Sequence, residues 1–217
     1  YSFKNKIGSI SCYELDKNKE KFLGKVIEED FHLSFPFLFE YKNKVYMCPE
    51  TSEKNEIRIY ECVKFPIKWK YSRTLIKNIY AVDTMLFQKN SIWWLLTNTD
   101  NNKIDALSEL SIFYSGEGPL TNNWKPHKKN PIIVDANIAR NGGLILDNNS
   151  IYRVNQKVGF NIYGQEFDIN MIKNINEDNF VEEKIDNIKP NFFKNIHGTH
   201  HMSYNEDYCV IDFVRRS

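Results

Sequence analysis

No stretch of the 217-residue sequence approaches the roughly 20 consecutive apolar residues of a membrane-crossing helix, and no signal peptide is expected at its start. An excess of one charge is missing too. With 29 basic and 28 acidic residues the formal charge is +1, so no nucleic acid is called for as a partner. The four cysteines, Cys12, Cys48, Cys62 and Cys209, form no C-x-x-C pair, which removes the common zinc and thiol-redox spacings. Each stands in an apolar, strand-like run and reads as a small buried thiol of a reducing compartment, so a cytoplasmic location is expected. Helical periodicity is also absent: no segment sustains 3.6-residue spacing for three turns. The chain opens on Tyr1, not Met. A longer parent protein is therefore expected.

What is present is a globular composition, 41% hydrophobic with 14% aromatic residues, long enough to bury a sizeable core. It is organised as a repeat. "PFLFEYKNKVYMCPE" from Pro36 aligns with "TMLFQKNSIWWLLTN" from Thr84, "GLILDNNSIYRVNQ" from Gly143 and, more weakly, "HMSYNEDYCVIDF" from His201. Each is a short apolar strand, a turn with Asn or Asp and a second aromatic or β-branched strand, which is the pattern of a hairpin. A second module lies between them. "EIRIYECVKFPIKWKYSRTLI" from Glu56 matches "ELSIFYSGEGPLTNNWKPHKKNPII" from Glu109, each with a Glu-led alternating strand, a Pro-containing turn and one tryptophan, Trp69 or Trp124. Distant copies are "GFNIYGQEFDIN" near Gly159 and "GSISCYELDKNKEKFLGKVI" at the start.

Alternating inner and outer hairpins predict four-stranded antiparallel sheets recurring every ~50 residues, the pattern of an all-β propeller. One propeller domain is expected over residues 1–217. Four inner hairpins are recognisable, and the opening outer hairpin has no inner partner before it. It either completes the sheet of the last inner hairpin, closing a four-bladed ring, or belongs to a five-bladed parent; the latter is the expectation. A two-sheet sandwich, which also has many short strands, is the structural alternative.

In a propeller the residues just before equivalent inner strands meet at one channel mouth. Those positions carry Ser34, Asp83, Arg140 and His200, and the ends of the following strands add Glu50, Asn98, Gln156 and Asp212. Arg153, within the apolar strand "IYRVNQ", must be paired or face the channel, because an unpaired buried charge is prohibitive. Paired carboxylates flanking a glycosidic bond can act as acid and as base or nucleophile. Asp83 and Glu50 are the candidate catalytic pair. Ser34, Arg140, Arg153, Gln156 and His200 are the candidate substrate-binding residues. Trp93 and Trp94 point to opposite faces of one strand, so at most one could stack on a sugar. "HGTHH" groups His197, His200 and His201, but neighbouring strand residues diverge and no H-E-x-x-H accompanies them, so no metal and no cofactor is expected. His32 and His127 read as ordinary loop histidines.

The segments "HLSFPFLFEYKNKVYMCPET", "YECVKFPIKW", "AVDTMLF", "WWLLTN", "IFYSGEGPLTNNWKPHKKNPI", "IYRVNQ" and "HGTHHMSY", in this order, resemble the N-terminal domain of plant glucosamine inositolphosphorylceramide transferases. They also resemble bacterial domains joined to sugar formyltransferase-like or glycosyltransferase domains. The resemblance implies a five-bladed propeller related to glycoside hydrolases of the arabinanase and xylosidase type. It implies a glycan, sugar nucleotide or glycolipid head group as ligand, and a fused or associated glycosyltransferase or formyltransferase domain as partner. The positions it singles out are Glu50, Asp83, Arg140, Arg153, Gln156 and His200. It also implies one more inner hairpin upstream, whose aspartate would be the counterpart of the hydrolases' catalytic base; the equivalent position in the first hairpin present in this sequence is Ser34, not an acid. Asn141 stands where such domains usually carry Pro or Ala, and Lys157 where an aspartate often follows the glutamine. The expected function is that of a carbohydrate-active domain, with glycoside cleavage or transfer if it turns over substrate. The alternative is a non-catalytic scaffold that orients a partner domain.

Overall fold

The computed structural model describes residues 7–16, 19–100, 108–159 and 162–215. Among them the regular structure is β, with one short 3-10 turn at Ser52–Lys54. The strands are β1 (Ile10–Asp16), β2 (Lys19–Ile27), β3 (Ser34–Tyr41), β4 (Lys44–Glu50), β5 (Glu56–Lys64), β6 (Lys68–Lys77), β7 (Ala81–Lys89), β8 (Ile92–Thr99) and β9 (Glu109–Ser115). They continue with β10 (Lys125–Pro126), β11 (Ile133–Val134), β12 (Asn141–Asp147), β13 (Ser150–Gly159), β14 (Ile162–Ile175) and β15 (Phe180–Ile188). Short strands β16 (Ile196–Gly198), β17 (Met202–Tyr204), β18 (Cys209–Ile211) and β19 (Val214–Arg215) follow. No helix among the described residues is long and apolar enough to cross a membrane.

Three sheets are built as the repeat predicts, in the orders β3-β4-β5-β6, β7-β8-β9-β10 with β11 also on β9, and β12-β13-β14-β15. Each starts with an inner hairpin that its turn residues explain. Lys42 and Asn43 have φ of 49° and 59°, Asn90 and Ser91 of 54° and 62°. Both central residues of these two turns are thus left-handed, the twist that joins antiparallel strands most tightly; in the third turn Asn148 alone is, with φ of 51°. "HMSYNEDYCVIDF" also forms a hairpin, β17–β18, where Asn205 Oδ1 accepts hydrogen bonds from the backbone N–H groups of Asp207 and Tyr208 at 3.0 and 2.7 Å. The opening module is the hairpin β1–β2. Both β1–β2 and β17–β18 are sheets of two strands. The "GFNIYGQEFDIN" copy is the start of one long strand, β14, with residues 160 and 161 outside the described set.

The chain divides into two compact units, Tyr1–Leu95 with Ser115–Lys125, and Leu96–Tyr114 with Pro126–Ser217. In the first, Ile10, Ile27, Phe31, Leu33, Met47 and Tyr60 form a buried cluster. Trp93 lies in the same unit, buried edge-on against Phe39 and Tyr41 at centroid distances of 5.9 and 5.8 Å. Trp94 is buried as well, so both tryptophans serve packing. In the second unit Ile145, Val154 and Phe167 are covered by Met202 and Ile211 of β17 and β18. Cys48 is buried, and burial pushes its thiol far up. The others depart from the buried-thiol expectation: Cys12 and Cys62 are half-buried, and Cys209 is exposed on β18.

His127 also departs from its expectation. It is buried, its Nε2 lies 3.0 Å from the Asn176 carbonyl, and its Nδ1 accepts the backbone N–H of Lys129 at 3.1 Å. Burial pushes its pKa below the ordinary 6.5, outweighing the upward pull of the Asn176 hydrogen bond. The folded chain therefore takes up this proton at lower pH than the unfolded one, so the contribution is complete above 6.5 and fades as pH falls below it. His127→Gln is expected to flatten the fall of melting temperature between about pH 7.5 and pH 5. An unchanged slope in thermal scans at both pH values would show that His127 does not set it.

Candidate functional site

The candidate residues fall into two groups, Ser34, Glu50 and Asp83 in the first unit, and Arg140, Arg153, Gln156 and His200 in the second. In the first, Ser34 is paired across the β3–β4 hairpin with Glu50, so the end of β4 returns to the start of β3 as expected. Glu50 is half-buried, and its Oε1 accepts the Ser52 hydroxyl at 2.9 Å. That bond fixes the carboxylate's direction, because the 3-10 turn immediately after β4 holds Ser52 in place.

Asp83 is buried and left-handed, with φ of 51°. A non-glycine residue in that region costs on the order of 1–3 kcal/mol and persists only where its surroundings enforce it. Counted back from the turns Lys42-Asn43, Asn90-Ser91 and Asn148-Asn149, Ser34 is level with Val82 and Arg140. Asp83 is level with Phe35 and Asn141, one position further along the strand. Phe35 is left-handed too, at 43°, and the pairing slips just there, between Ser34 and Phe37 and again between Asn141 and Gly143. A bulge at the start of the inner strand re-aims side chains by one position. Alternation along the strand gives no sign of it.

In the second unit the segment carrying Arg140 is held by every backbone carbonyl from Asn137 to Asn141. The Asn137 oxygen accepts Asn155 Nδ2 at 3.1 Å, and the Ile138 oxygen accepts Arg153 Nη2 at 2.7 Å. The Ala139 oxygen accepts both Asn98 Nδ2 at 2.9 Å and Arg153 Nη1 at 3.2 Å. The Arg140 oxygen accepts the backbone N–H of Gln156 at 2.8 Å, and the Asn141 oxygen accepts Gln156 Nε2 at 2.6 Å. Asn98, Arg153, Asn155 and Gln156 are all buried. Inside a protein such donors hold a loop firmly, because releasing one leaves a buried polar group without a partner.

Arg153 resolves the alternative posed by its sequence setting by being paired. Its side chain is fully buried and forms a two-pronged ion pair with Glu182 of β15, with Nε on Oε2 at 2.8 Å and Nη2 on Oε1. Together with the Ile138 and Ala139 carbonyls and Asn141 Oδ1 at 3.4 Å, these bonds occupy its guanidinium. Glu182 was invisible in the sequence: it sits in a strand of exposed charges, 29 residues further on. Lys157 ends within reach of Glu166 and Asp168 of β14, at 3.0 and 3.5 Å.

His200 forms an imidazole–carboxylate pair with Asp212 through Nδ1 and Oδ2. Asp212 Oδ1 also accepts the backbone N–H groups of His200 and His201, at 2.9 and 2.7 Å. Burial alone would raise the Asp212 pKa, but these hydrogen bonds outweigh it and hold the carboxyl below its usual range. Glycines let the chain close around this pair. A Cβ on Gly142 would stand 2.5 Å from the His200 carbonyl oxygen and 3.2 Å from Gln156 Cγ, and one on Gly164 2.7 Å from His200 Cβ. Gln156 and His200 are thus brought together at Gly142, beside the pinned Arg140 segment. Such an arrangement offers an arginine on a rigid backbone and an oriented imidazole, a combination suited to an anionic or hydroxyl-rich ligand.

A family model described as Glucosamine inositolphosphorylceramide transferase 1, N-terminal, matches residues 4–204. Among curated proteins the chain is 37% identical over 168 residues to glucosamine inositolphosphorylceramide transferase 1 of Arabidopsis thaliana, covering 75% of this chain and 21% of that protein. The same-named protein of Oryza sativa subsp. japonica is 36% identical over 168 residues, covering 75% and 22%. The chain thus spans about a fifth of the length of these relatives. Among solved structures, the endo-arabinase of Bacteroides thetaiotaomicron superposes with a TM-score of 0.59 at 13% identity, covering 87% of this chain and 72% of that one. The exo-beta-1,3-galactanase of Phanerochaete chrysosporium superposes with a TM-score of 0.58 at 10% identity, covering 85% and 44%. At these identities the likeness shows the fold alone: the chain is all-β and propeller-like, and these solved neighbours are five-bladed propeller glycoside hydrolases.

Proposed function

This chain belongs to the family of glucosamine inositolphosphorylceramide transferase 1 N-terminal domains, and from that premise we propose that it is a carbohydrate-active module binding a sugar conjugate. The ligand class follows from the relatives' name and from the residues together: a hexosamine or an inositolphosphoryl head group, with Arg140 taking the anionic part. The observation that carries this reading is the clamp on the five carbonyls around Arg140, which holds its backbone in place before a ligand arrives. In this reading Arg140, Gln156 and His200 bind the ligand in the second unit, and Arg153 positions the segment that bears Arg140. In the first unit Ser34 contributes to binding, and Glu50 and Asp83 are the carboxylates assigned to acid and base roles if the domain turns over a glycoside.

A second reading, a module that orients a partner glycosyltransferase or formyltransferase domain, is favoured by the internal consumption of Arg153 and Asn98. Calorimetric titration of the protein with inositol phosphate, glucosamine and sugar nucleotides separates the two. Arg140→Ala should weaken binding of an anionic ligand about tenfold or more at unchanged melting temperature, the size of a lost charge-assisted hydrogen-bond pair. If the wild type binds none of these ligands, or if binding is indifferent to Arg140→Ala and His200→Ala, the orienting module is the better reading. Turnover of an aryl glycoside, lost in Asp83→Asn and Glu50→Gln, is the corresponding test of the carboxylates.

A further inference from the structure

The turn between the third and fourth strands is where the three larger sheets differ most. Between β14 and β15 it is Asn176-Glu177-Asp178-Asn179, in which Asn176 Oδ1 accepts the backbone N–H groups of Asp178 and Asn179, both at 2.9 Å, and Asp178 pairs with Lys128. Between β9 and β10 the Glu117 carboxylate accepts the Thr121 hydroxyl at 2.9 Å and Asn123 Nδ2 at 2.8 Å. Both are turns of polar residues bonded within their own loop, as a solvated connection requires.

Between β5 and β6 the turn is Lys64-Phe65-Pro66-Ile67-Lys68. Phe65 is 67% exposed, Ile67 39%, and Val63 just before them 54%. The turn itself is well held. The Ile67 N–H donates to the Lys64 carbonyl at 3.0 Å, and Trp69 Nε1 donates to the Pro66 carbonyl at 2.8 Å. Trp69 in turn packs on the buried cluster of Ile10, Ile27, Phe31, Leu33, Met47 and Tyr60. Three apolar side chains are thus carried into water on a firm base, and the two sister turns show that polar residues close the same connection.

Charge is segregated at the same place. From Cys62 to Val82 the sequence contains no acidic residue, yet it carries Lys64, Lys68, Lys70, Arg73 and Lys77, in a chain whose charges otherwise balance. All five are exposed. Glu61, the last acid before this stretch, sits between Lys44 at 2.7 Å and Lys70 at 3.6 Å. Two cations on one carboxylate leave a positive balance even there.

We propose that the β5–β6 turn docks the protein on an anionic lipid bilayer. Phe65, with Val63 and Ile67, enters the boundary between head groups and acyl chains, and Lys64 and Lys68 lay their stems along it with their ammonium groups on the lipid head groups. A bilayer fits this tip better than a protein does: three apolar side chains on one turn are far fewer than the roughly 20 residues a side of a stable protein interface, whereas apolar insertion plus basic charge is the two-part signal that holds a protein on a membrane surface. The turn lies at the opposite end of its sheet from the Ser34–Glu50 pair, because β3 and β4 join at Lys42-Asn43 and Tyr46 faces Glu61 across β4 and β5. Docking therefore leaves that pair uncovered.

The test is flotation of the protein with vesicles of phosphatidylcholine alone and of phosphatidylcholine mixed with phosphatidylserine. Wild type should float with the mixed vesicles, and raising the salt should weaken this, since exposed charges are screened. Phe65→Glu, and separately the pair Lys64→Gln with Lys68→Gln, should each weaken partitioning about tenfold or more at unchanged melting temperature. Phe65→Trp should bind at least as well as wild type, because tryptophan suits the head-group boundary. No flotation with the mixed vesicles, equal flotation with phosphatidylcholine alone, a Phe65→Trp variant as weak as Phe65→Glu, or partitioning untouched by the lysine changes would each overturn the proposal. So would partitioning that falls in the lysine variant but not in Phe65→Glu, which is the mark of a contact made by charge alone, as with an acidic protein surface.

Discussion

Replacing Arg153 by Met is expected to cost about 3–5 kcal/mol, the range for removing one partner of a buried ion pair, and to lower the melting temperature by on the order of 10 °C. The magnitude follows from what is left behind. Glu182 loses its counter-ion with its side chain only 13% exposed, and the Ile138 and Ala139 carbonyls and Asn141 Oδ1 lose a donor each. Met fills much of the volume, so the loss reports polar groups more than a cavity. Adding Glu182→Leu should recover a large part of it, because removing both charges together avoids an unpaired one. Thermal unfolding of the two single variants and the double variant closes the cycle. A single-variant loss below about 1 kcal/mol, the scale of an exposed pair, would mean that the guanidinium does not hold this segment.

Gly143→Ala is expected to be as damaging for a different reason. Gly143 has φ of 140°, which side-chain-bearing residues rarely adopt, and a Cβ there would stand 2.1 Å from the Met202 carbonyl oxygen. The clash is with backbone, so no rotamer change relieves it, and β12 must part from β17. Strain and overpacking each contribute about 1–3 kcal/mol, so a loss of roughly 3 kcal/mol or more is expected. Gly116→Ala is the control: nothing lies within 4 Å of its Cβ position, and its stability should change by no more than about 0.5 kcal/mol. Chemical denaturation of both variants decides the matter; equal midpoints would show that β12 and β17 do not approach this closely in solution.

The hairpins were legible in the sequence because two local signals agree at each, an alternating apolar strand and turn residues that tolerate left-handed backbone, as at Lys42-Asn43 and Asn90-Ser91. The inner and outer order of the sheets followed from the repeat. The region between β9 and β12 was less legible. There the outer strands shrink to Lys125–Pro126 and Ile133–Val134, and a loop anchored by His127 does the packing. In the sequence Asp83 reads as level with Ser34 and Arg140, because alternation looks the same on both sides of a bulge. Arg153 could be recognised as needing a partner but not matched to one, since Glu182 is one of several acids on an exposed-looking strand. The clamp was hidden for a related reason. Asn98, Asn155 and Gln156 look like ordinary polar strand ends until the carbonyls they reach are known.

That clamp bears on how fast and how tightly a ligand could be held at Arg140. A loop that must be ordered on encounter gives up conformational freedom at that moment, about 1–2 kcal/mol per residue, and the affinity falls accordingly. Here the five residues 137–141 meet that penalty once, when the chain folds. If Arg140 binds a ligand as proposed, association is limited by diffusion and charge and not by a loop finding its shape.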